Sequence, residues 1–303
     1  MSKEAPILLN FNIINSTMRY IIVVNAYTKN RSQLDKAQRI AEELRLFGAD
    51  CEIIKNINLA EIVNGNISAV KADVCIFLDK DRAAARLLEK SGIRLFNCAE
   101  AIENCDDKML THIALANSGI PMPDSIYAPL CYCDDAQIDE LFLKKVEKLG
   151  YPLVAKTCYG SLGNGVYLIN SFSELVEFEN NNKLVAHFYQ KFIGKGGEDI
   201  RVIVIDGKYV CAMKRVNKCN FRSNVEQGGH GERYEADAEL IELCEKTAKI
   251  LKLDFCGIDV LTDNEGNRYI CEVNSNAFFA EAEWVCGVNI AKKFAELIIK
   301  AVN

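Results

Sequence analysis

Several common signatures are missing from this chain of 303 residues, and each absence removes a class of function. No apolar run approaches the roughly 18 residues that a membrane helix needs, so no membrane partner is expected. The first residues lack a basic stretch with a small-residue cleavage motif, so no secretory leader is expected. A basic excess is absent too: 36 Lys and Arg face 42 Asp and Glu, net −6. Nucleic acid is therefore not an expected partner, although a local basic pocket for anions remains compatible. The 13 cysteines form no C-x-x-C, and Cys131 and Cys133 are the only close pair. A disulfide framework or zinc site would be more regular, so they read as small buried hydrophobes in a reducing cytoplasm. No glycine fingerprint follows the first strand, which argues against a dinucleotide site there. No Ser-His-Asp or Cys-His constellation stands out.

What is present is a chain long enough for two or three domains, half of it hydrophobic. Short apolar strands at 19–25, 51–54, 74–78 and 94–96 alternate with helical patterns at 32–47 and 81–90. Ser32 is the expected N-cap of the first helix and Gly48 its stop. Strand–helix alternation predicts a parallel α/β layer. Met18 directly precedes the first strand, so residues 1–17 are expected to be a dispensable extension. Helices are predicted over 106–118 and 135–149, and Pro152 to Lys156 reads as a strand. The loop Gly160-Ser161-Leu162-Gly163-Asn164-Gly165 lies before another strand, not before a helix. That excludes a Walker or Rossmann turn and leaves an ordinary hairpin turn or a flap whose amides cover phosphates. Lys156, in an apolar strand just upstream, favours the flap, because a buried lysine needs an anionic partner.

Residues 201–215 read as a hairpin around Asp206-Gly207. A two-residue turn would pair Ile203 with Val210, Arg201 with Ala212 and Asp199 with Lys214. Asp199, Arg201 and Lys214 would then form a charged cluster, either an anion site or a solvated ion-pair patch. Residues 218–233 read as a loop, 237–252 and 287–302 as helices. A second hairpin turns at 263–267 and sets Asp259 roughly opposite Glu272, with Asn274 on the face of Glu272. Acids of a surface hairpin would explain Asp263 and Glu265. Asp259 and Glu272 lie inside apolar strands, where an oxygen-only Mg²⁺ site explains them better.

The order D-D-K-M-L-T, Lys156, G-S-L-G-N-G, Q-K-F-I, D-I-R-V-I-V, F-R-S-N, G-I-D-V-L and E-V-N closely resembles the RimK-type branch of the ATP-grasp ligases, from about Asp106 onward. The resemblance implies a mixed α/β and α+β chain: an ATP-grasp fold of two α+β subdomains gripping ATP, after a small parallel α/β pre-ATP-grasp domain. The expected divisions are 1–103, 104–186 and 187–303. It implies an ATP-dependent carboxylate–amine ligase that works through an acyl phosphate, releases ADP and phosphate, and adds glutamate or another amino acid to a peptide or small molecule. An ATP-binding sensor or pseudoenzyme of the same fold is the alternative.

The resemblance also assigns roles. Lys108 and Lys156 contact nucleotide, and Gly160, Ser161, Gly163 and Gly165 cover the triphosphate. Gln190, Lys191 and Phe192 border adenine, with Asp199 at the ribose. Arg222 and Asn224 line the γ-phosphate side, Lys156 and Arg222 being catalytic. Arg201, Lys214 and Arg215 hold a substrate carboxylate. Asp259, Glu272 and Asn274 hold two Mg²⁺ or Mn²⁺ ions. A cytoplasmic homo-dimer or tetramer is implied. One departure stands out: after E-V-N the family commonly has a small proline-glycine turn, whereas this chain has Ser275-Asn276-Ala277-Phe278-Phe279-Ala280-Glu281. That change should reshape the substrate pocket.

Overall fold

The computed structural model describes residues 18–161, 163–223 and 228–302. The expected extension over 1–17 lies outside them, as does Asn224. The first layer contains β1 (Tyr20–Val24), α1 (Arg31–Leu46), β2 (Cys51–Lys55), the ribbon β3 (Ala60–Val63) and β4 (Asn66–Ala69), β5 (Val74–Leu78), α2 (Arg82–Lys90) and β6 (Arg94–Phe96). Its sheet is parallel, in the order β2-β1-β5-β6, as the strand–helix alternation predicts. Asn30, not Ser32, caps α1, its side chain accepting from the Ser32 amide at 2.9 Å. Helices α3 (Ala99–Asp106) and α4 (Lys108–Leu115) follow. They replace the single helix expected over 106–118, because Asp107 takes extended backbone and caps α4 through the Met109 and Leu110 amides.

The second layer holds β7 (Ser125–Tyr127), α5 (Glu140–Glu147), β8 (Leu153–Thr157), β9 (Val166–Ile169), α6 (Phe172–Asn182) and β10 (His187–Lys191). Its antiparallel sheet runs β7-β10-β8-β9. Leu153, Ala155 and Tyr189 pack under α5 and α6. Alternation along the strands therefore turns Val154, Lys156 and Gln190 to the opposite face. Strand β10 pairs with β7 and β8, so the division expected before residue 187 would cut this sheet.

The third layer is an antiparallel sheet in the order β13-β12-β11-β14-β15: β11 (Glu198–Ile205), β12 (Lys208–Val216), β13 (His230–Tyr234), β14 (Phe255–Thr262) and β15 (Arg268–Asn274). Strand β13 occupies the end of the stretch expected to be a loop. Helix α7 (Ala238–Ile250) covers one face, burying Leu240, Cys244 and Ala248 against Val202, Ile258 and Val260. Helices α8 (Ala280–Cys286) and α9 (Ile290–Val302) complete the chain.

A bulge between Ile203 and Val204 shifts the β11–β12 register by one residue. One residue of slip exchanges the faces of a strand. Asp199 therefore stands opposite Arg215, and Lys214 opposite Ile200. The expected Asp199–Lys214 pair is replaced by Asp199–Arg215.

The layers are joined by apolar packing and by polar contacts, among them a buried amide. Phe294, Ala295 and Ile298 of α9 share a core with Ala37, Ile40 and Leu44 of α1 and with β1 and β5. Asn97, 2% exposed, follows β6. Its Oδ1 accepts from the Asp254 and Phe255 amides, and its Nδ2 donates to the carbonyls of Phe255 and Ser275. Asn97→Ala leaves these buried groups without partners. It is expected to cost about 3 kcal/mol in urea unfolding; a loss below about 0.5 kcal/mol would contradict this role.

Candidate active site

A cleft opens between the second and third sheets. Lys156 rises from β8 into it. Its Nζ donates to Gln190 Oε1 at 2.6 Å and to Cys271 Sγ at 3.3 Å. Lys108, at the start of α4, donates to the Gly160 carbonyl at 2.7 Å. Burial pushes its ammonium down, partly offset by Glu272. Beneath Gln190 lies His112, pushed down to about 4 by burial and then by Lys156, so it is neutral near pH 7.

The glycine loop bends over this cleft, with Ser161, Gly163 and Asn164 on its lining. Gly165 has φ +74°, and a Cβ there would lie 2.0 Å from Thr157 Oγ1. Only glycine lets the loop return against β8. Lys191, Phe192 and Asp199 line the far wall. Arg222 lies over the Phe221 ring, its guanidinium carbon 4.6 Å from the centroid. It donates through Nη2 to the Val166 carbonyl, while its buried Nε has no hydrogen-bond partner among the described residues. A buried donor left over in a cleft suits an anionic oxygen.

Asp259 and Glu272 face each other across β14 and β15, close to the pairing that the turn at 263–267 predicts. The bulge between Asp259 and Val260 sits at this point. Asp259 is 3% exposed. It accepts from Arg201 through both oxygens, and from Arg215 Nη2 at 3.0 Å. Burial alone would raise its pKa; the two guanidiniums hold it below the usual carboxylate range. Arg215 also grips Asp199 through both oxygens. Lys214 points elsewhere, pairing with Glu198 at 2.7 Å, which removes it from the cluster to which it was assigned.

Among the described residues, no third His, Cys, Asp or Glu joins Asp259 and Glu272. Asp259 and Glu272, with Asn274 two residues further along β15, would offer an all-oxygen donor set. That set fits Mg²⁺ or Mn²⁺, whose remaining positions go to phosphate oxygens and water.

A second, open cleft lies between the first layer and the third sheet and shares Glu272 and Ser161 with the first. Arg201, Arg215, Asn274 and Phe278 line it from one side, and Asn25, Lys36 and Lys80 from the other. Asn25 and Lys80 follow β1 and β5, where the strand order reverses and open parallel sheets take ligands. None of this first-layer wall was read from the sequence. Lys36 did leave a signal: it lies on the apolar face of α1, four residues before Ile40.

The model of the RimK-like ATP-grasp domain matches residues 105–298. The chain belongs to the RimK-like ATP-grasp family. This RimK-like chain is 31% identical over 223 residues to human N-acetylaspartylglutamate synthase A, covering 72% of the chain and 55% of that protein. It is 32% identical over 222 residues to the glutamate–LysW ligase ArgX of Sulfurisphaera tokodaii, covering 71% and 76%. The chain thus spans about half the length of the synthase. Two solved structures show the same fold. The ATP-grasp ligase PsnB complexed with minimal precursor, Mg and ADP has a TM-score of 0.67, with 16% identity and coverage of 93% and 97%. The D-alanine–D-alanine ligase of Bacillus anthracis complexed with ATP has a TM-score of 0.69, with 18% identity and coverage of 93% and 96%. The expected ATP-grasp fold behind a parallel α/β layer is therefore correct.

In this RimK-like chain the turn after Asn274 is held by Lys36. Its Nζ donates to Asn276 Oδ1 and to the Asn276 and Ala277 carbonyls, and lies 5.1 Å from the Phe278 ring centroid. Burial, reinforced by Lys80, pushes its ammonium down to about 7 from about 10.5. Between those values the unfolded chain binds more protons than the folded one, so this group makes stability rise with pH. Lys36→Met is expected to remove that rise in urea melts at about pH 7 and about pH 9.5. An unchanged slope would show that the lysine is not buried in this way.

Proposed function

We propose that this chain is an ATP-dependent carboxylate–amine ligase that uses glutamate as its amine. The observation that carries the reading is the meeting of two clefts at Glu272, one rich in phosphate-type partners and the other holding arginines. Lys108, Lys156 and Arg222 offset phosphate charge, Lys191 and Phe192 border adenine, and Asp199 takes the ribose. Asp259, Glu272 and Asn274 hold two Mg²⁺ or Mn²⁺ ions, which bring charge neutralisation to the phosphates. Arg201 and Arg215 receive the acid.

A substrate carboxylate oxygen then attacks the γ-phosphorus, and the bond to the ADP oxygen breaks. The amine attacks the resulting acyl phosphate, phosphate leaves, and the amine proton passes to water. Such a transfer needs positioning and charge neutralisation more than a dedicated base, which agrees with the side chains present. Glutamate is favoured by the names of the related synthases and ligase, and the open second cleft leaves room for a small acid or a peptide.

We further infer a cytoplasmic protein, in keeping with thirteen free thiols and no described helix long and apolar enough to cross a membrane. A homo-dimer or tetramer is carried forward from the family resemblance. The domain divisions are proposed near 103/104 and, because of β10, after Lys191 instead of after residue 186.

ADP release from Mg-ATP, measured with glutamate and a pool of carboxylates and short peptides, tests the ligase reading. Release should require both substrates and vanish in Glu272→Ala. ATP binding without release from any pool would favour a sensor. Lys156→Ala is expected to weaken Mg-ATP binding by roughly 2 kcal/mol, about thirtyfold; an unchanged affinity by calorimetry would contradict its phosphate role.

A further inference from the structure

Asp259 joins two clefts through its ion pairs. Its carboxylate lines the nucleotide-side cleft, while its two guanidinium partners, Arg201 and Arg215, line the second. Together with Asp199 they make a buried set of two cations and two anions, each 3–8% exposed. Such a set is tolerated because its charges balance. Among the described residues Arg201 pairs with Asp259, through Nε and Nη2. Its stem crosses Gly257, where a Cβ would lie 3.1 Å from Arg201 Cδ. Gly257 stands opposite Asn274, so Arg201 passes beside the end of the oxygen-donor strand.

A divalent cation on Asp259 would compete with the guanidiniums for the same oxygens. Two arginines would then share Asp199 as their one full counter-ion, leaving a positive charge facing the second cleft. A carboxylate there restores the balance.

We propose that Arg201, and with it the free edge of Arg215, passes from Asp259 to the substrate carboxylate when Asp259 takes up a divalent cation, so that the metal–nucleotide complex and the acid substrate bind with positive coupling. Coupling between sites is reciprocal, so the acid tightens the metal–nucleotide complex by the same factor. This rests on the ligase reading and adds an order to it: the acid's receptor forms once the metal is in place, which disfavours loading of acid onto an enzyme without nucleotide.

Phenylglyoxal, which modifies accessible guanidiniums, tests this without turnover. The whole protein is labelled alone, with Mg²⁺, with ADP and EDTA, and with Mg-ADP, and modified peptides are measured by mass spectrometry. Exposed Arg45 is the internal reference. Arg201 labelling is expected to rise at least about fivefold with Mg-ADP only. Asp259→Asn, which weakens the pairing, should raise it in every arm. Calorimetry on the same sample reports Mg-ADP binding. Bound Mg-ADP with unchanged or reduced Arg201 labelling overturns the exchange alone; no Mg-ADP binding overturns the exchange and the ligase reading together.

Discussion

The carboxylate of Asp259 lies in the interior of a β-sheet, gripped by Arg201 and Arg215, and the geometry of both clefts follows from that pairing. An unpaired charge at this depth would be strongly unfavourable, so the guanidiniums fix where strands β11, β12 and β14 put their polar face. The bulge beside Asp259 and the one between Ile203 and Val204 set which residues reach that face. They bring Arg215 in and turn Lys214 out. Asp199, held by Arg215, then extends the same charge network to the wall of the first cleft.

The first layer acts on this centre from outside it. Lys36 holds the Asn276–Ala277 backbone, and Asn97 holds Asp254, Phe255 and Ser275. Both contacts fall next to strands that carry oxygen donors: Asn97 at the start of β14, Lys36 beyond the end of β15. The first layer therefore does more than precede the ATP-grasp part of the chain. It positions the segment that separates the two clefts, and its Lys80 and Asn25 form the opposite wall of the second. Both phenylalanines after Asn274 reach the second cleft; Phe279 also packs in the core against Phe255, and Phe278 lies beside Lys36.

Local patterns carried much of this architecture. Apolar strands alternating with helices are enough for the parallel layer, and turn residues at 263–267 bring Asp259 roughly opposite Glu272, the bulge at Asp259 and Val260 setting the final register. Lys156 in an apolar strand before a glycine loop pointed to the first cleft. The remainder depends on interactions remote in sequence. A bulge leaves no mark in hydrophobic alternation, so the Asp199 partner was misread by one residue. Lys36 meets Asn276 across 240 positions, a contact that no local period encodes. Asn97 reads as an ordinary polar residue after a strand until its four partners are in view. Helix α6 was overlooked beside a polar Asn-rich end, although Ser171 caps it by accepting from the Glu174 amide.

The central claim is that Asp259 and Glu272 jointly hold a divalent cation that arrives with nucleotide. Mn²⁺ titrated into the protein with and without ADP, with free ion counted by electron paramagnetic resonance, tests it directly. The account expects ADP-dependent uptake that Asp259→Asn and Glu272→Gln each abolish while the protein stays folded. Uptake indifferent to both substitutions would place the metal elsewhere and contradict it.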